Sequence, residues 1–275
     1  MLVRKYTNKT GAMVLAMAIV MSSCQNSSKS NSSQAAADSS KLTEIAQDVK
    51  EVVYPLPTPF EMTQMLSDIG AKYVATSLNS PAKAEKYFTE KSKALNLGVY
   101  GADLAYAATY DQKQDVKLYS VAVKKLNDQL GISIDYSTLL SDKVKEKANN
   151  KDSLASMITT TFFSTYKFLN EKGNPDHAIM MVTGMWVELM YIATNISEDT
   201  YHTTGLVNII TKQKNSFTKL MKLLSERNSN ADIKAIEDQL QVLKPVFEKE
   251  ASGLQEADYK LILQTIKSVR KTVVE

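Results

Sequence analysis

From Leu42 onward the apolar residues return every three or four positions, while strand-like alternation lasts no longer than Ile132-Ser133-Ile134. The pattern predicts an all-α body. Leu42, Ile45, Val49 and Val52 predict a short first helix, stopped at Tyr54-Pro55-Leu56-Pro57, where proline removes donors and pushes its predecessor to extended geometry. Thr58-Pro59-Phe60-Glu61 then reads as a helix start: Thr58 can cap, Pro59 suits the first helical position and Glu61 can reach back to close a capping box. The apolar residues Phe60, Met65, Leu66, Ile69 and Tyr73 predict that this helix runs to the break at Asn79-Ser80-Pro81. A short helix over 81–88 and a long one over 89–110 follow. The next covers 112–130 and is closed by Gly131. Further helices are predicted over 135–148, over 152–170 with Gly173 as its stop, and over 174–196, opened by Asn174-Pro175. The last three cover 204–227, 231–249 with a kink at Pro245, and 255–273.

These lengths give eight to ten helices, and short connections make chain neighbours antiparallel. One globular helical domain over residues 41–275 is expected. The alternative is a short stack of helical hairpins of tetratricopeptide type. A 34-residue period leaves only fragments, such as Leu97-Gly98 and Ala105, without the other repeat positions. The globular domain is therefore preferred.

The N-terminus has a different pattern. Met1-Leu2-Val3-Arg4-Lys5, with Lys9 following, precedes an apolar run from Gly11 to Met21 that ends in Ser22-Ser23-Cys24. Charged, apolar and small-residue parts in this order read as a signal peptide over residues 1–23. The run is about half the roughly 20 residues that a bilayer-spanning helix needs. Cys24 is the only cysteine in the chain. Placed after two small residues at the end of that run, it resembles a bacterial lipobox, with Met21 standing where leucine is usual. The resemblance implies that the Cys24 thiol takes up a diacylglycerol, that a peptidase cuts between Ser23 and Cys24, and that the chain meets a membrane through this lipid. Residues 24–40 form a Ser/Asn-rich tether that cannot bury apolar surface. Gln25 after the cysteine implies, by the same resemblance, outer-membrane sorting. The lack of an acidic cluster after Cys24 points to the periplasmic face.

Charge narrows the function classes. The first 23 residues hold three of the 33 basic residues and no acidic one, which leaves 30 basic against 30 acidic residues after cleavage. A neutral body has no basic excess to displace counterions from nucleic acid, so no nucleic-acid partner is expected.

Tyr54-Pro55-Leu56-Pro57-Thr58-Pro59-Phe60, together with the stretch from Lys86-Tyr87-Phe88 to Asp103-Leu104-Ala105-Tyr106, resembles a family of uncharacterised helical lipoproteins of anaerobic Gram-negative bacteria. The resemblance covers about the first third of the body. It implies fold and location and carries no chemistry.

Familiar catalytic signatures are missing: no GxSxG, Walker-type or GxGxxG sequence occurs, and His177 and His202 fall in no ligand spacing. No metal and no cofactor is expected. Two acids interrupt apolar helical stretches, Asp103 in Leu97–Tyr106 and Glu188 in Met180–Tyr191. A buried carboxylate is costly unless paired or hydrogen-bonded. Either these acids belong to a structural network with tyrosine hydroxyls and backbone, or they anchor a ligand pocket among Tyr100, Tyr106, Trp186 and Tyr191. A third possibility is a general acid and base pair. Gly98, Gly101 and Gly184 each cost about 1 kcal/mol inside a helix, which predicts close approach of another element. Met180, Met181, Met185 and Met190 fall on several faces of one helix, which is apolar nearly all round and reads as central. The function expected from all this is a non-enzymatic, lipid-anchored envelope protein whose helical body binds a protein partner or supports an assembly. A small-ligand-binding lipoprotein with its pocket near Asp103 and Glu188 is the alternative.

Overall fold

A computed structural model describes residues 58–134, 151–196, 204–249 and 254–275. Cys24, His202, the helices expected over 42–52 and 135–148, and Tyr54–Pro57 lie outside the described residues.

The first described helix, α1 (Pro59–Asp68), starts as its sequence dictates. The Thr58 hydroxyl accepts from the Glu61 N–H at 3.2 Å while the Glu61 carboxylate accepts from the Thr58 N–H at 2.9 Å. It ends earlier than expected, because Gly70 turns the chain at φ +75°. Its buried face is Met62, Thr63 and Leu66, and Ile69 is 40 % exposed. The chain from Ala71 to Ser80 is mainly non-helical, with one 3-10 turn at Ala75–Ser77. A 3-10 helix, Pro81–Lys86, leads into α2 (Glu90–Thr109), capped by the Thr89 hydroxyl on the Ser92 N–H at 3.0 Å.

Helix α3 (Lys113–Gln129) closes at Gly131, φ +67°, and α4 (Lys151–Glu171) stops at Gly173, φ +80°. Helix α5 (Pro175–Asn195) has proline in its first turn. The single helix expected over 204–227 is two, α6 (Thr204–Thr211) and α7 (Lys214–Ser225), with the break at Lys212-Gln213. The helix expected over 231–249 is likewise divided: α8 (Ala231–Leu240), a 3-10 turn at Gln241–Leu243, and α9 (Lys244–Glu248). Pro245 restarts a helix here instead of bending one, since its missing N–H costs nothing in a first turn. Helix α10 (Glu256–Val274) completes the fold. The described residues contain helices and no strands.

The core is built on the crossing of α2 and α5, the most extensive contact between any two elements described. A β-carbon on Gly98 would lie 1.8 Å from the Met181 carbonyl oxygen, and one on Gly184 would lie 1.9 Å from the Leu95 oxygen. Backbone therefore meets backbone, and only glycine permits it. The contacts climb both helices in step, 95 with 184, 98 with 181 to 185, and 103 with 188, so the two run in the same sense. Helices α1, α3, α4 and α10 pack around α2, while α4, α10, α6 and α1 flank α5. A solenoid joins each repeat to its chain neighbours alone. Here the principal contact links helices about 80 positions apart, which makes this one globular helical domain and no hairpin stack.

Helix α5 is long and apolar enough to cross a membrane, but 89 % of that window is buried inside the protein. It is the core helix its all-round apolar sequence predicts. Gly101, by contrast, has room for a side chain: a built β-carbon would meet only the Phe162 ring, at an ordinary contact distance of 3.8 Å.

The Gly98→Ala and Gly184→Ala variants are each expected to lose about 3 kcal/mol or more, the upper range of overpacking. Gly101→Ala is expected to be neutral or to gain up to about 1 kcal/mol from helix propensity. Urea unfolding of the three variants checks this contrast.

Candidate functional site

Asp103 and Glu188 sit on the two crossing helices, one turn beyond the glycines, and are fully buried. The crossing that seats the glycines brings the carboxyls into hydrogen-bond contact with each other. Arg270, from α10, closes the group: its Nε donates to Glu188 Oε2 at 2.6 Å and its Nη2 to Glu188 Oε1 at 2.7 Å. This is a two-pronged pair, the geometry a planar guanidinium favours. Arg270 Nη2 also donates to the Ser77 carbonyl at 3.1 Å, and its guanidinium lies 3.9 Å from the centre of the Tyr191 ring.

Burial raises the affinity of Asp103 for its proton well above the ordinary carboxylate range, and the charge of Glu188 adds to this. Burial also raises Glu188, while the hydrogen bonds and charge of Arg270 oppose it. The proton accordingly belongs to Asp103 and the negative charge to Glu188, which touches the cation. As an anion Asp103 leaves Oδ1 without a donor; as a neutral acid it gives its proton to Glu188.

Around this centre, α2 presents a row of polar side chains to the segment between Ala71 and Pro81. Tyr106 donates to the Lys72 carbonyl and accepts from the Val74 N–H, both at 3.1 Å, with its ring 4.9 Å from that of Tyr73. Asp103 Oδ2 accepts from the Asn79 N–H at 3.3 Å. Tyr100 donates to the Ser80 carbonyl at 2.8 Å, and Asn96 accepts from the Asn79 side chain at 3.3 Å. The spacing 96, 100, 103, 106 is one helix face, so a non-helical connector has its backbone satisfied by successive turns of a single helix. Desolvation pushes the Tyr106 hydroxyl up to about 12 and Tyr100 higher still, so both remain donors.

The same row holds the last helix. Asn96 Nδ2 donates to the Val273 carbonyl at 2.7 Å and Tyr87 to the Val274 carbonyl at 3.3 Å, which occupies carbonyls that the end of α10 leaves without helical partners.

Of the residues singled out from sequence, Asp103, Glu188, Tyr100, Tyr106 and Tyr191 belong to this network. Trp186 does not: two positions from Glu188 on a helix places it on the far side of α5, against Phe217 at 5.6 Å and Phe247 at 6.3 Å. Asp103, Glu188, Tyr100 and Tyr106, expected to line a pocket, are engaged by other groups of the protein. The described cavities lie elsewhere. One is a crevice of about 30 Å³ bordered by Leu97, Gly101, Val123, Asn127 and Phe162, and the other a cleft of about 180 Å³ bordered by Ile210, Lys212, Phe247, Lys249 and Ile262. Neither has Asp103 or Glu188 in its wall. Carboxyls in hydrogen-bond contact are also closer than the roughly 5–9.5 Å kept by glycosidase acid pairs. Two acids sharing one proton do serve catalysis in open clefts, but these have no exposure to a substrate. Among the described residues no group of three His, Cys, Asp or Glu gathers in metal-binding geometry.

Sequence reasoning missed Arg270, Asn79, Asn96 and Tyr87. Arg270 had a readable signal, since only Arg227 and Arg270 are arginines beyond the first 23 residues. It also lies one helical turn from each of the buried Ile266 and Val273. Asn79 stood in a segment that reads as a simple break.

Searches of family models, curated proteins and solved structures found no match to this chain.

A raised carboxyl in the folded state contributes stability that is full below the unfolded value of 3.8 and is lost as pH rises towards the folded value. Asp103→Asn, which keeps a donor for Glu188 and has no proton to lose, is expected to be more stable than the parent above neutrality. The difference should shrink on acidification towards the unfolded carboxyl range. Glu188→Gln leaves Arg270 buried without its anion and is expected to lose about 3–5 kcal/mol. Thermal melts across pH check both, and an Asp103→Asn chain that is less stable at every pH contradicts the assigned proton.

Proposed function

We propose that this chain is a lipid-anchored envelope protein, held to a membrane through Cys24, whose helical body is a non-enzymatic module that binds a protein partner or supports an envelope assembly. The observation that carries the anchor is the place of the sole cysteine, directly after Ser22-Ser23 at the end of a short apolar run. Each buried methylene of an attached chain contributes about 0.8 kcal/mol, and two or more chains make such an anchor lasting. Gln25 and a tether without an acidic cluster support outer-membrane sorting towards the periplasm.

A binding rather than catalytic body is supported by the fate of its interior acids. Asp103 and Glu188 are engaged by each other, by Arg270 and by the Asn79 N–H, so their chemistry is turned inward to hold helices together. Neither described cavity borders these acids, and the larger, a 180 Å³ cleft, is below the roughly 300–1,000 Å³ usual for ligand pockets, which gives the small-ligand alternative less support.

Cells fed an alkyne fatty acid are expected to label the parent chain, which then partitions into detergent, and to leave Cys24→Ala unlabelled. Label retained in Cys24→Ala overturns the anchor. Cross-linking in intact envelopes followed by purification tests the body, and recovery of no reproducible protein partner counts against it.

A further inference from the structure

Most large apolar side chains are buried, yet two neighbouring segments expose three of them. Phe88, between the Pro81–Lys86 helix and α2, is 81 % exposed, and Val121 and Leu118 on α3 are 53 % and 46 % exposed. The Pro81–Lys86 helix packs along α3 and is tied to it by the Lys125–Glu85 ion pair. Leu118, Val121 and Lys125 are spaced three and four apart, so they form one stripe of α3, from which Lys125 reaches that helix.

The same two segments concentrate positive charge. Residues 81–93 and 113–129 hold eight lysines and four acids, in a chain that carries 30 basic and 30 acidic residues once its first 23 residues are removed. Each of the four acids has a partner: Glu85 with Lys125, Glu90 with Lys93, Asp128 with Lys124, and Asp115 accepting from the Tyr73 hydroxyl. Lys91 is paired with Asp232 of α8. Lys86, Lys113 and Lys117 have no carboxylate partner among the described ion pairs, whereas the half-buried Lys83 donates to the Val274 carbonyl and its charge acts on Glu188.

We propose that these two segments form a membrane-docking face that lays the helical body on an anionic phospholipid surface. Phe88, Val121 and Leu118 enter the boundary between headgroups and acyl chains, and the uncompensated lysines meet phosphates. The chemistry favours a bilayer over a protein partner. Three apolar side chains separated by lysines make no continuous apolar centre of the kind a protein interface needs, whereas long lysine stems reach past apolar neighbours to a plane of phosphates. The inference rests on the lipid anchor proposed above, because a short tether holds the body near the bilayer and turns docking into an intramolecular step.

The test uses the full lipidated chain carrying Phe88→Trp, reconstituted in phosphatidylcholine vesicles with or without phosphatidylglycerol, and with brominated acyl chains as quencher. Trp186 is buried, and the parent chain supplies its background. Docking predicts that emission from the introduced indole moves to the blue and falls by roughly half with brominated anionic vesicles, and that added salt reverses this. Lys86→Glu and Lys117→Glu in the Phe88→Trp chain should each weaken docking by about fivefold or more, and Val121→Glu should also reduce quenching. All three positions are on the surface, so the fold is retained. A chain that floats with the vesicles while the introduced indole stays water-like, on anionic and zwitterionic lipid alike, overturns the docking face and leaves the anchor standing. Flotation and quenching with anionic vesicles alone keep the docking face and overturn the anchor. Flotation with neither overturns both.

Discussion

The direct contact of backbone with backbone where α2 crosses α5 is the constraint on which the rest of the structure depends. Gly98 and Gly184 allow two helices far apart in the chain to approach without side chains between them. Once they touch, the neighbouring turns are placed too, and Asp103 and Glu188 are forced into the same small volume. A clash of about an ångström at either glycine involves carbonyl oxygens in helical hydrogen bonds, which cannot move aside as a flexible side chain could.

That enforced meeting of two acids explains the polar interior. Burying two anions side by side is prohibitive, so one keeps its proton and the other takes a cation. Arg270 supplies the cation and, in the same stroke, fixes α10 against α5 and the Ser77 turn. The charge arrangement therefore works as a register pin: slide α10 by one residue and the guanidinium leaves both Glu188 and the Tyr191 ring. Hydrophobic burial along α10, through Ile262, Ile266 and Val269, favours the docked helix in general but tolerates several registers. The ion pair selects among them, which is the role best attested for buried polar groups.

The connector from Ala71 to Ser80 shows the same logic applied to backbone. Apart from the 3-10 turn at Ala75–Ser77 and the bonds at its two ends, its N–H and C=O groups lack the regular partners of a helix, and inside a protein they must be satisfied. Tyr106, Asp103 and Tyr100 supply partners at one-turn intervals along α2, and Asn96 reaches past the connector to the end of α10. Residues that look in isolation like the wall of an aromatic binding pocket are thus a clamp on the protein's own chain.

The sequence by itself determined the helical class, the starts at Thr58-Pro59 and Asn174-Pro175, the stops at Gly131 and Gly173, and the burial of the helix around Trp186. All of these are local: capping, proline stereochemistry and 3.6-residue periodicity act within a few positions of the chain. It also marked Asp103, Glu188, Gly98 and Gly184 as positions that demand an explanation, because each is costly where it stands. Only the tertiary structure decided what answers the demand. Whether a buried acid faces a void, a ligand or an arginine 82 positions away depends on which helices cross and at what register. Periodicity carries no information about that. The breaks at Lys212-Gln213 and Gln241–Leu243 were hidden for the same reason: their residues, with no proline or glycine among them, are acceptable in a helix, so the residues themselves mark no break.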